Sequence, residues 1–147
     1  GAITYADLYR LLPFEDTVCT LKLNFDQFSQ ILEEQLSKPD KRHAVYPWGL
    51  ICELDENNNI ANIKMPDGGF FEKDKKYEIA FSSFALYGAG GRFPKLAELA
   101  KKTDCEFRNT NIKVREAVCE YIRKNSPLNL KAEEWVKFKV EPKETKK

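Results

Sequence analysis

The stretch Ile3-Thr4-Tyr5-Ala6-Asp7-Leu8-Tyr9-Arg10-Leu11-Leu12-Pro13-Phe14 sets the reading of this chain, because it writes a short helix with both ends marked. Thr4 followed three residues later by Asp7 is a capping box, in which each side chain satisfies a backbone N–H that the first helical turn leaves without a partner. Pro13 has no N–H and disfavours helical geometry in the residue before it, so the helix ends before Pro13. Phe14, pinned beside the proline at the helix exit, is the first candidate ligand contact.

Outward from this helix, Thr17 to Leu23 alternates and is β-branched enough for a strand, and Asn24 with Gln27 caps a second helix. Phe25, Phe28, Leu32 and Leu36 form the buried stripe of that helix. Lys38 to His43 is a polar connector. Trp48 to Leu54 and Ile60 to Met65 read as an antiparallel hairpin around Glu56-Asn57-Asn58-Asn59, and Pro66-Asp67-Gly68-Gly69 is a further turn. Tyr77 to Ser82 is a strand that leads into a glycine-rich loop running to Phe93. Pro94 suits the first turn of a third helix through about Lys102. Thr110 or Asn111 caps a fourth helix through about Lys124, with Val114, Ala117, Val118, Tyr121 and Ile122 on its apolar face. Trp135 to Val140 alternates like a last strand at a sheet edge, and the polar tail Glu141 to Lys147 reads as disordered. Helices and strands mix without regular βαβ alternation, so the expectation is a single α+β domain over residues 1–140, with a mixed or antiparallel sheet and about four helices.

Composition narrows the functional classes. The 147 residues are 42% hydrophobic and 12% aromatic, enough for a sizeable core. Lysine and arginine number 24 against 23 acids, and a net charge of +1 supplies no strong field to attract nucleic acid or an anionic membrane. No apolar run approaches the roughly 20 residues of a membrane-spanning helix, and no signal peptide precedes Gly1. Cys19, Cys52, Cys105 and Cys119 include no close pair, which argues against a CxxC redox or zinc motif and for buried thiols, with a disulfide left open.

The search for catalytic chemistry is largely negative. A dinuclear metal phosphatase needs several His, Asp and Asn ligands to activate water and clamp phosphate, and this chain has 1 histidine. His43 sits between Pro39 and Pro47 in the polar connector and reads as a solvated surface residue. No serine lies in a Gly-x-Ser-x-Gly elbow, and no phosphate-binding glycine loop ends in lysine. The chain therefore carries no candidate catalytic residue and no candidate metal ligand set.

The run Phe84-Ala85-Leu86-Tyr87-Gly88-Ala89-Gly90-Gly91-Arg92-Phe93 is the second informative segment. Gly88, Gly90 and Gly91 permit positive φ angles and close approach of a ligand to the backbone, although a sharp turn requires no more. Phe84 and Phe93 flank the loop, and an aromatic face can stack on a nucleobase. Arg92 can attract a carboxylate or phosphate, or stand solvated at the surface.

The order Ile3-Thr4-Tyr5, Leu12-Pro13-Phe14, a strand, a helix ending Ile31-Leu32-Glu33, then Trp48-Gly49-Leu50, Lys76-Tyr77-Glu78-Ile79-Ala80 and Val114-Arg115-Glu116-Ala117 resembles the C-terminal domain of the 5'-nucleotidase family. In that family two phenylalanines sandwich the nucleobase, and a separate N-terminal metallophosphoesterase domain holds two divalent metal ions and performs the hydrolysis outside the cytoplasm. The matching residues here are Phe14 and Phe84; Gly88, Gly90, Gly91 and Arg92 join the candidate substrate-binding set on the loop's own chemistry. Arg92 follows Gly90-Gly91 where the family carries an acid that contacts the ribose, and the family's Asn-Gly-Gly-x-Arg stretch lies upstream of the part matched here.

The resemblance implies a nucleotide-recognition domain, not catalytic alone, with a nucleotide or nucleoside as ligand and a metallophosphoesterase domain or chain as partner. It implies no cofactor in this chain and a periplasmic or extracellular location. The alternatives are a small-molecule binding module that takes something other than a nucleotide, and a structural partner of a metallophosphoesterase.

Overall fold

The structure, a computed structural model, describes residues 2–37, 50–57, 59–65, 67–128 and 136–140. The expectations for Lys38 to Gly49 with His43, for Pro66, for Trp135 and for the tail 141–147 lie outside the described residues. The fold is α+β, as expected, and within it the chain forms two compact units: Gly1–Lys22 with Glu78–Lys131, and Leu23–Tyr77 with Ala132–Lys147.

The first unit is organised around strand β1 (Thr17–Leu23), which lies between β4 (Tyr77–Ser82) and β5 (Arg108–Lys113) in a three-stranded sheet. A central strand must bury one face, and Cys19 and Leu21 on alternate positions of β1 are fully buried. β1 and β5 run antiparallel with Thr17 opposite Lys113 and Thr20 opposite Arg108, broken by a bulge between Thr17 and Cys19. Thr20 Oγ1 donates to Glu78 Oε1 at 2.9 Å.

Helix α1 (Tyr5–Leu11) precedes this sheet and has the expected box. The Asp7 carboxylate accepts the Thr4 N–H at 2.8 Å, and Thr4 Oγ1 accepts the Asp7 N–H at 3.3 Å. After β4 come α3 (Ser83–Leu86), α4 (Pro94–Leu99) with proline in its first turn, a 3-10 turn at Thr103–Cys105, and, beyond β5, α5 (Val114–Asn125). Leu8, Leu86, Phe93, Leu96, Leu99 and Cys105 are buried here.

The second unit begins with α2 (Phe25–Leu36), opened by the predicted Asn24/Gln27 box with both bonds at 3.0 Å. Its buried apolar positions are Phe25, Phe28, Ile31 and Leu32, with Ser29 and Gln35 also buried, while Leu36 is half-buried. Strands β2 (Leu50–Leu54) and β3 (Ile60–Lys64) form the expected antiparallel hairpin, with Cys52 opposite Ile63. The Asp55 carboxylate shapes its turn by accepting the N–H groups of Asn57 and Asn59, each at 2.8 Å. β6 (Val136–Val140) pairs parallel with β2, at the edge of the order β3-β2-β6. Phe71 packs against Phe28 and Tyr77, with ring centroids 5.7 and 3.9 Å away.

Three expectations are corrected. Residues 108–113 form a strand, so neither Thr110 nor Asn111 caps the last helix: Thr110 Oγ1 donates to the Val18 carbonyl at 2.7 Å, and α5 starts at Val114. The third helix stops at Leu99, before Lys102. The loop after β4 opens with the four helical residues of α3. The α5 face is only half-buried at Val114, Ala117, Val118 and Ile122, and Tyr121 is exposed. Cys19, Cys52 and Cys105 are buried free thiols, and burial pushes the Cys52 thiol up to about 12.

Leu21→Ala is expected to lower unfolding free energy by about 2–5 kcal/mol in urea titrations, through lost burial and a residual cavity in the central strand. Tyr121→Ala is expected to stay within roughly 0.5 kcal/mol of the parent.

Candidate functional site

Phe14 and Phe84 stand on the surface of the first unit, 73% and 48% exposed, with ring centroids 6.5 Å apart and ring planes within 15° of parallel. That separation is at the far end of the range for a direct aromatic pair. It is also close to two carbon contact distances of about 3.5 Å each, the spacing needed to hold one flat ring between two others. The two exposed, near-parallel rings are thus the candidate faces for a planar aromatic group.

Each ring is presented by a different local device. Phe14 follows Pro13 at the end of α1, where the Leu12 N–H still donates to the Leu8 carbonyl at 2.8 Å. Phe84 lies on α3, whose four residues stand because both ends are capped. Ser82 Oγ accepts the Ala85 N–H at 3.2 Å. At the other end, the Ala89 N–H donates to the Phe84 carbonyl and the Gly88 N–H to the Ala85 carbonyl, both at 3.0 Å, the Schellman arrangement. This closure puts Gly88 at φ +89°, where a side chain would be strained.

Side-chain and main-chain bonds then tie the two presenting segments together. Ser83 Oγ accepts the Thr17 N–H at 3.1 Å and donates to Asp16 Oδ1 at 3.4 Å, joining the residue before Phe84 to the segment after Phe14. The Asp16 carbonyl accepts the Val114 N–H at 2.8 Å, and Lys113 Nζ meets Glu15 Oε2 at 2.7 Å. The hydrogen bond and charge of Lys113 hold the Glu15 carboxyl below its ordinary value, with a smaller contribution from Arg115, and Glu15 raises Lys113 in return.

Arg115, on the first turn of α5, is the residue beside the two rings whose contacts single-sequence reasoning does not give. Its side chain is buried, and it donates to the carbonyls of both Leu12 and Phe14.

The remaining predicted residues fall near the rings in different ways. The Arg92 guanidinium carbon is 6.0 Å from the Phe84 ring centroid, within cation–π range. Gly90 and Gly91 have φ +66° and +89°, and a Cβ on either would meet nothing within 4 Å, so conformation rather than crowding demands glycine there. Phe93 is buried in the core and offers no stacking face. Among the described residues, no three His, Cys, Asp or Glu side chains converge as metal ligands, and no helix is long and apolar enough to cross a membrane.

Comparison with known proteins agrees with this architecture. A family model described as "5'-nucleotidase, C-terminal domain" matches residues 1–98. The chain is 25% identical over 128 residues to "Endonuclease YhcR" of Bacillus subtilis (strain 168), covering 84% of this chain and 10% of that one. It is 25% identical over 136 residues to "Probable 5'-nucleotidase" of Treponema pallidum (strain Nichols), covering 84% and 22%. The solved structure of Haemophilus influenzae NAD nucleotidase (NadN) superposes with a TM-score of 0.75 at 17% identity, covering 95% of this chain and 27% of that one. The chain thus spans from a tenth to about a quarter of the length of these proteins.

Ser83→Ala leaves the Thr17 N–H without its partner and is expected to cost about 1–3 kcal/mol in urea titrations. Because the folded Glu15 midpoint is depressed, the pairing with Lys113 contributes at neutral pH and is lost as pH falls through that midpoint. In Lys113→Met, a carboxyl-detected NMR titration is expected to find the Glu15 midpoint moved upward. An unmoved midpoint would remove Lys113 as the cause.

Proposed function

This chain belongs to the 5'-nucleotidase C-terminal domain family, and on that premise we propose that it is the nucleotide-recognition part of a 5'-nucleotidase-like phosphohydrolase. The observation that carries the proposal is the near-parallel pair Phe14 and Phe84, both exposed, with ring centroids 6.5 Å apart. Base stacking on an aromatic side chain is worth about 1–3 kcal/mol by alanine substitution and tolerates any base, since every base has a π-face. Two such faces act on one base from both sides. The exposed peptide backbone at Gly90 and Gly91 leaves room for the rest of the ligand, while Gly88, buried against Ala97, shapes the loop from within, and Arg92 beside Phe84 supplies a cation for an anionic or hydrogen-bond-accepting group.

Hydrolysis, in this reading, belongs to a separate metallophosphoesterase domain or chain with two divalent ions, which would activate water and neutralise phosphate charge. In this reading the part of this chain is to bind and orient the substrate. A bound base fixes where the phosphate end of the substrate lies, and correct placement of a reacting group lowers the barrier for the catalytic partner. We place the assembled protein outside the cytoplasm, on the family resemblance.

Titration of the chain with adenosine and with adenosine monophosphate, followed by NMR, tests the proposal. Phe14→Ala and Phe84→Ala, each confirmed folded by its amide spectrum, are expected to weaken binding by about 1–3 kcal/mol, roughly 5- to 150-fold in Kd. Absence of binding at millimolar nucleoside, or full binding by both variants, would overturn it.

A further inference from the structure

We infer that Arg115 is a positioning residue that sets the gap between Phe14 and Phe84, and thereby the affinity of the slot for a planar ring. The inference rests on the nucleobase reading above. Phe14 is 73% exposed, so side-chain packing does not hold it in place. Its position has to come from the backbone.

Arg115 holds that backbone on both sides of Pro13. Arg115 Nε and Nη2 donate to the Leu12 carbonyl at 3.0 and 2.7 Å, and Nη2 also donates to the Phe14 carbonyl at 3.3 Å. Leu12 is the C-cap of α1, whose last carbonyls have no partner within the helix and favour a cation. Between the two held carbonyls lies Pro13, with φ locked by its ring. Few soft torsions remain between an anchored Leu12 and an anchored Phe14, so the planar guanidinium dictates where the ring leaves the chain. The Tyr9 ring, 3.8 Å from the guanidinium carbon, covers one face of the ion and fixes its plane. The contact of Arg115 Nη1 with the exposed Glu15 carboxylate is long, 3.8 Å, and contributes little beside these bonds.

Lysine cannot replace this arrangement. An ammonium on a flexible stem keeps the charge but lacks the fork that bridges two carbonyls and the plane that stacks on Tyr9. Arg115→Lys therefore separates the charge of Arg115 from its geometry.

The test is a double-mutant cycle on this chain with adenosine as the probe: the parent, Arg115→Lys, Phe14→Ala, and both together. Arg115→Lys is expected to weaken adenosine about tenfold in the parent and to have no further effect once Phe14 is alanine. Weakening by the same factor in both backgrounds would mean that Arg115 supports the fold generally, and would overturn the inference. A ligand-free readout runs beside it: the NOE contacts between the Phe14 and Phe84 ring protons are expected to be lost or redistributed in Arg115→Lys while the amide spectrum of β1 is kept. Unchanged ring contacts would also overturn it. If adenosine fails to bind the parent, the nucleobase reading falls on that result, and the ring contacts still decide the role of Arg115. If Arg115→Lys does not fold, Tyr9→Leu takes its place: it keeps both carbonyl contacts and frees the guanidinium plane. The same Phe14-dependent loss, smaller in size, is then expected, and a Phe14-independent effect would overturn the inference.

Discussion

A buried guanidinium needs its N–H groups satisfied, and that constraint organises the exit of the first helix. Taking a cation out of water costs several kcal/mol unless hydrogen bonds replace the lost hydration. Arg115 recovers hydrogen bonds at Nε and Nη2 from the Leu12 and Phe14 carbonyls, and the Tyr9 ring covers one face of the ion. The dependence runs both ways. The carbonyls at the end of α1 lack intrahelical partners, and the ion that fills them stands at the start of α5, so α1, the Pro13 turn and α5 are stable in this arrangement together.

The second presenting segment is secured by smaller groups. Ser82, Ser83 and Gly88 turn a four-residue helix, too short to persist by itself, into a fixed platform for Phe84. Helix nucleation is costly, and here both ends are closed by hydrogen bonds and the middle is stitched to Thr17 and Asp16. The result is two aromatic rings held open to solvent, an arrangement the hydrophobic effect alone disfavours.

Where single-sequence reasoning and structure diverge, the divergence has a local cause. Thr110 and Asn111 carry cap chemistry, yet Thr110 spends its hydroxyl on the Val18 carbonyl across the sheet, and Asn111 adopts φ +59° within the strand. Threonine and asparagine satisfy backbone groups in caps, turns and strands alike, and the neighbouring strand decides which. The glycines after Phe84 were legible as a turn, but four helical residues carry no periodicity to read. Phe93 and Phe84 look equivalent as letters flanking the same loop, and only packing buries one and exposes the other. Arg115 was passed over for the opposite reason: an arginine on a helix is ordinarily solvated, and nothing in its neighbours announces carbonyls more than a hundred positions away.

Sequence by itself determined the elements whose signals are short-range: the Thr4/Asp7 and Asn24/Gln27 caps, the stop at Pro13, the alternation of β1, the hairpin of β2 and β3, and hence the α+β class. Those signals work because capping and alternation are settled between residues three or four apart, or on one face of one strand. Only the tertiary structure decided that β5 is a strand, that Phe14 faces Phe84 at 6.5 Å, and that Arg115 is buried against the turn bearing Phe14. Each of these depends on pairings between residues far apart in sequence, whose geometry exists only once the sheet and helices have closed around β1.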